Sequence, residues 1–212
     1  MKLDPSHLSE ITAVTLDDYE RNAEAFWLGT RDHDVSQNYD AFLSALPPSE
    51  KFRLLDFGCG PGRDLKYFAG LGHEAIGLDG AAEFCQRARS FSQCEVWQQN
   101  FLTLSLPEEH FDGIFANASL FHVPSQELPR ILKELRACLK DGGILFSSNP
   151  RGNQEGWSAN ANGRRWGTFW EWEVYRDRLR DAGFEVLRHY YRPEGKPIEE
   201  QPWLAVVSRK TG

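Results

Sequence analysis

The chain has 212 residues, enough for one well-buried domain and tight for two. Apolar residues make up 41% and charged residues 26%, a globular balance with no long disordered tract. The formal charge of −7 argues against a nucleic-acid partner, which calls for a broad basic field. Met1 to Glu10 lack the apolar core of a secretion leader, and no run approaches the roughly eighteen apolar residues of a membrane span. These features predict a soluble, cytoplasmic protein with no membrane partner. The 4 cysteines are scattered without a C-x-x-C pair, and the 6 histidines add no ligand spacing, so no metal site is expected.

Short apolar runs alternate with amphipathic segments, which predicts an α/β fold with a mostly parallel sheet and helices on both faces. Leu16 to Leu28 reads as a helix outside the sheet, within a helical lid over residues 1–45. Arg53 to Phe57 is the first predicted strand, followed by a glycine loop and a helix from Asp64 to Ala69 that stops at Gly70. Glu74 to Asp79 is the second strand, Ala81 to Ser90 a helix, Cys94 to Gln98 the third strand, and Phe111 to Ala116 the fourth. Ile131 to Leu139 carries helical periodicity, and Asp141-Gly142-Gly143 turns into the fifth strand, Ile144 to Ser148. Residues 149–168, rich in Gly, Asn and Arg but holding Trp157 and Trp166, read as an irregular substrate loop. A helix from Phe169 to Asp181 and two antiparallel strands, Phe184 to Tyr191 and Trp203 to Ser208, complete the chain.

The strongest signal is Asp56-Phe57-Gly58-Cys59-Gly60-Pro61-Gly62. Glycines at alternating positions let the backbone turn sharply and approach a ligand, and the helix from Arg63 or Asp64 aims its amides at it. A dinucleotide fingerprint needs G-x-G-x-x-G, but Arg63 stands where the last glycine belongs. Asp56 suits a cationic amino-acid group instead.

This D-x-G-x-G-x-G string resembles the first motif of the class I S-adenosylmethionine-dependent methyltransferases, in particular their small-molecule, methyltransferase type 11-like members. The resemblance covers about residues 17–208. Asp79 and Gly80 end strand two where the family places a ribose-binding acid, which can take two charge-assisted hydrogen bonds from a vicinal diol. Asn100 and Phe101 fall at the adenine position, with Asn100 in place of the usual acid. Phe111 to Asn117 and Leu139 to Gly143 resemble the fourth-strand motif and the turn before strand five. The resemblance implies a Rossmann-like sheet of seven strands in the order 3-2-1-4-5-7-6, with only strand seven antiparallel. S-adenosyl-L-methionine is the implied cofactor. It also implies that Tyr19, Trp27 and Arg31 on the lid touch this cofactor, Tyr19 through its carboxylate; simple packing of the lid helix explains Tyr19 and Trp27 equally well.

His122, after strand four, is the candidate catalytic residue, as a general base or as a group that shapes the pocket. Arg151, Arg164, Trp166 and Tyr191 are the candidate substrate residues: an arginine fork fits a carboxylate or phosphate and aromatics wall an organic body. Pairing of these arginines with Glu155, Glu171 and Glu173 is the plainer alternative. The expected function is methylation of a small, anionic metabolite by a monomer or homodimer. A tRNA or protein methyltransferase, or a non-catalytic partner subunit of the same fold, are the competing readings.

Overall fold

A computed structural model describes residues 2–160 and 163–212, so Met1 of the predicted lid and Ala161 and Asn162 of the predicted loop lie outside the described residues. Helix α1 spans Pro5–Arg21, α2 Ala23–Thr30 and α3 Ser36–Leu43. The predicted helix, Leu16 to Leu28, is divided at Asn22 between α1 and α2, and α3 lies outside it. Asp4 starts α1 by accepting the Ser6 and His7 amides, with Pro5 in the first turn where its missing N–H costs nothing.

Strand β1 (Arg53–Phe57), helix α4 (Arg63–Gly70), β2 (Glu74–Asp79), α5 (Ala82–Ser92), β3 (Val96–Gln98) and β4 (Phe111–Asn117) follow the expected alternation. Helix α4 closes at Leu71, and Gly72, at φ 91°, takes the left-handed turn expected of Gly70. Then come α6 (Leu128–Cys138) and β5 (Leu139–Pro150).

The predicted irregular segment is largely a hairpin, β6 (Glu155–Asn160) against β7 (Gly163–Thr168), whose Trp157 and Trp166 rings meet edge to face at 5.5 Å. A cross-strand aromatic pair of this kind stabilises a two-stranded ribbon. Helix α7 (Trp172–Asp181) starts three residues later than predicted, and β8 (Phe184–Arg192) and β9 (Trp203–Lys210) end the fold.

Seven strands form one sheet in the order β3-β2-β1-β4-β5-β9-β8, with β9 antiparallel to both neighbours. The expected arrangement is present, and the last two numbers shift because the hairpin stands apart from the sheet. Leu54, Leu55 and Phe57 on β1 are wholly buried, as a central parallel strand covered on both faces requires. One face packs on α6 and α7 through Leu132, Leu135, Tyr175 and Leu179; the other packs on α3, α4 and α5 through Phe42, Leu65, Phe68 and Ala88. Among the described residues, no helix is long and apolar enough to cross a membrane. The carboxyl ends of β1, β2 and β4 meet under α1 and the hairpin, the crevice where open α/β sheets bind ligands.

Candidate active site

The glycine loop leaves β1 in left-handed backbone: φ is 77° at Gly58, 51° at Gly60 and 94° at Gly62. A side chain at Gly58 would place its Cβ 2.3 Å from Cβ of Ser119, and one at Gly62 would meet Cα of Ala88 at 2.8 Å. The loop is pinned to the next strand, where Leu78 O accepts the Gly58 and Cys59 amides at 2.7 and 3.0 Å.

Asp79, at the end of β2, accepts Gly60 N–H at 2.9 Å on Oδ2 and Ala81 N–H at 2.9 Å on Oδ1. Burial pushes its carboxyl up to about 6, against the pull of those backbone amides. Each carboxylate oxygen keeps a lone pair, so two vicinal hydroxyls can still be accepted. Asp79, Gly80, Gly58 and Gly60 line a cavity with Asn100, Phe101, Phe84 and Leu16. Asn100 Oδ1 takes the Leu102 amide at 2.8 Å, capping a single 3-10 turn, and Phe101 stacks on Phe57 at 4.3 Å.

Tyr19, Phe26, Gly58, Gly60 and Ala118 also line a second cavity, so the two join at these residues. Trp27, Arg63, Asp64 and Asn117 lie on its wall. Asp64 takes Tyr39 Oη–H at 2.6 Å, Asn117 Nδ2 at 3.1 Å, and Arg63 at 2.6 and 3.1 Å.

His122 lines the first cavity, bonded to Tyr19, which lines both. The Trp166 carbonyl, 2.7 Å from Nδ1, can only accept, so Nδ1 carries the proton; Nε2 then accepts Tyr19 Oη–H at 2.6 Å. Burial lowers the His122 pKa to about 4 and raises that of Tyr19 to about 12. Both groups are neutral at pH 7, and Tyr19 spends its hydroxyl proton on His122.

Several predicted residues stand elsewhere. Arg31 is exposed beside Asp32. Asp56 lies beneath the loop, on neither cavity wall, its Oδ2 without a partner; burial, then Asp64, push its pKa well up. Gly62 packs on α5 and lines neither cavity. All four predicted substrate residues lie off both walls. Arg151 reaches Ile198 O and Glu171, with Tyr191 under its guanidinium. Arg164 pairs with Glu10 and lies over Trp157, against which Trp166 also packs.

Strand alternation explains the placement of Arg164 and Tyr191. Arg165 and Arg192, the neighbours of Arg164 and Tyr191, carry the side chains that reach the second cavity. The sequence also held a signal for the α1 wall: Thr12, Thr15, Leu16 and Tyr19, at helical spacing, all line the first cavity.

This geometry agrees with what the chain resembles. A model of the methyltransferase domain family matches residues 55–147, from β1 through most of β5. Over this stretch, under half of the chain, the sequence is similar to the S-adenosylmethionine-dependent methyltransferases. Trans-aconitate 2-methyltransferase of Azoarcus sp. is 32% identical over 117 residues, covering 53% of this chain and 45% of the relative. Ubiquinone biosynthesis O-methyltransferase of Cereibacter sphaeroides is 29% identical over 174 residues, covering 72% and 68%. The chain spans less than half the length of the first curated relatives it matches. Among solved structures, 1,6-didemethyltoxoflavin-N1-methyltransferase of Burkholderia thailandensis, with bound acceptor and S-adenosylhomocysteine, superposes with a TM-score of 0.76. It covers 100% of this chain and 94% of that one at 22% identity, a likeness of fold. The glycine cradle and the buried Asp79 fit a nucleoside bearing a vicinal diol.

Proposed function

We propose that the chain transfers a methyl group from S-adenosylmethionine to a small, negatively charged acceptor. One observation carries this reading: the cavity bounded by the glycine loop and Asp79 opens, past Tyr19 and Phe26, into a second cavity that reaches Arg165 and Arg192. In this reading Asp79 takes the ribose hydroxyls, Asn100 and Phe101 border the adenine, and Arg63, Asp64 and Asn117 surround the amino-acid end. S-adenosylmethionine supplies an electrophilic methyl group, so the protein's part is to align the partners and exclude water. His122 and Tyr19 hold each other at the junction and shape the place where the methyl group is presented. The named relatives act on small molecules, in keeping with this acceptor class.

The test is transfer of radiolabelled methyl groups to a metabolite extract fractionated by anion exchange. Label is expected in a small, anion-exchange-retained product. Label confined to RNA or protein would contradict the acceptor class, and a chain that binds the donor but turns nothing over would contradict catalysis.

A further inference from the structure

Two of the three arginines around the second cavity sit in ion pairs. Arg63 is held by Asp64. Arg165, on β7, gives its Nε–H to the fully buried Asp18 of α1 and lays its guanidinium over the Tyr19 ring at 4.0 Å. With one edge anchored and one face covered, the Nη edge is the part left for a ligand, and no protein acceptor bonds it among the described residues. Arg192, at the end of β8, donates from Nη2 to the Asp34 carbonyl at 2.7 Å, while its Nε–H is buried with no partner. The Asp34 carboxylate is occupied by Ser36, through N at 2.9 Å and Oγ at 2.7 Å. Arg192 lines the second cavity, so its guanidinium stands within reach of an anion held there.

We propose that Arg165 and Arg192 form the anion-binding end of the acceptor site and that the acceptor presents a carboxylate to them. The inference rests on the methyl-transfer reading and names the residues that select the acceptor. Arg63 with Asp64, Arg165 with Asp18 and Arg192 beside Asp34 leave little net charge on this wall. The methyl donor brings one net positive charge, so a singly charged carboxylate completes the balance better than a dianionic phosphate. Guanidinium edges also match the two oxygens of a carboxylate. Because Asp18 is on α1 and Arg165 on the hairpin, the site exists only where these two elements meet.

The test titrates benzoate and benzyl alcohol, by calorimetry or ligand-detected NMR, into protein saturated with S-adenosylhomocysteine. Benzoate is expected to bind at least tenfold tighter than the alcohol. Arg192→Gln should cut that preference below threefold, as should the pair Asp18→Asn with Arg165→Gln, which removes the guanidinium without stranding a buried charge. Affinity for S-adenosylhomocysteine should stay within threefold in each. The proposal is overturned if the preference survives in both variants, if the parent protein binds both probes equally or binds neither, or if the variants lose S-adenosylhomocysteine, which would give these arginines to the donor's own carboxylate. Failure of the parent protein to bind S-adenosylhomocysteine would sink the methyl-transfer reading instead, and benzoate titrated into the free protein would still decide the arginine site.

Discussion

The Tyr19 hydroxyl and Nε2 of His122 are 2.6 Å apart, and the Trp166 carbonyl on the other ring nitrogen decides which of them donates. This joins α1, the turn after β4 and the hairpin at one point, and holds an uncharged imidazole on the wall of the first cavity. Nitrogen-15 NMR of labelled histidine is expected to show His122 as the neutral Nδ1–H tautomer at pH 7, with Tyr19→Phe shifting the Nε2 resonance. An imidazolium or an Nε2–H tautomer would contradict the arrangement.

The same residue sets a pH dependence. His122 has a folded pKa of about 4, below the ordinary 6.5. Between those values the unfolded chain binds a proton that the folded chain does not, so this contribution to stability is whole above pH 6.5 and is lost as pH falls towards 4. The loss approaches about 3 kcal/mol at the lower end. Denaturant unfolding from pH 7 to 4.5 should therefore show the parent protein losing more stability than His122→Gln; parallel curves would count against the buried, neutral imidazole.

Asp79 runs the opposite way. Its folded pKa of about 6 lies above the ordinary 3.8, so the folded chain holds the extra proton in that interval, and stability from this group falls as pH rises through 6. With the ribose on this carboxylate, as proposed, affinity for S-adenosylhomocysteine should drop from pH 7 to pH 5. Asp79→Ala should cost about 2 kcal/mol or more at pH 7, two charge-assisted bonds being lost. Unchanged affinity in this variant would move the ribose elsewhere.

The contact between Asp18 and Arg165 latches the hairpin to α1, with Thr15 Oγ1 accepting the Trp166 amide at 3.1 Å beside it. Asp18 is wholly buried, so Arg165→Met strands a charge and should destabilise the fold by about 3–5 kcal/mol. Adding Asp18→Asn should recover a large part of that. Urea unfolding of the parent, single and double variants measures both, and equal stability of single and double variants would deny the coupling.

At Gly62, φ of 94° and the approach of Ala88 act together. Gly62→Ala combines a left-handed alanine with a backbone clash and should cost about 3 kcal/mol of stability. A variant as stable as the parent would show that the loop and α5 yield more easily than their packing indicates.

The sheet was legible because runs such as Leu54-Leu55 are buried on both faces, and buried parallel strands leave that mark whatever their partners. Asp79 stood out in the sequence through the resemblance, which places an acid at the end of the second strand, and the fold sets it beside the glycine loop, where it accepts the Gly60 amide. The start of α1 at Asp4-Pro5 was written in plain capping chemistry, yet its apolar periodicity is weak, because the helix turns Thr12 and Thr15 to a cavity. The choice between Arg164 and Arg165 depends on which face of β7 meets the cavity, and no local pattern carries that. Asp56 reads as a ligand group by position in the motif, while its depth beneath the loop emerges only from the fold.

The central assignment is tested most directly by calorimetric titration of the parent protein with S-adenosylhomocysteine and, separately, with NAD. One molecule of S-adenosylhomocysteine per chain with no heat from NAD is the expected result. Folded protein that binds no S-adenosylhomocysteine, or that gives it up to NAD, would contradict the assignment of the glycine loop and Asp79.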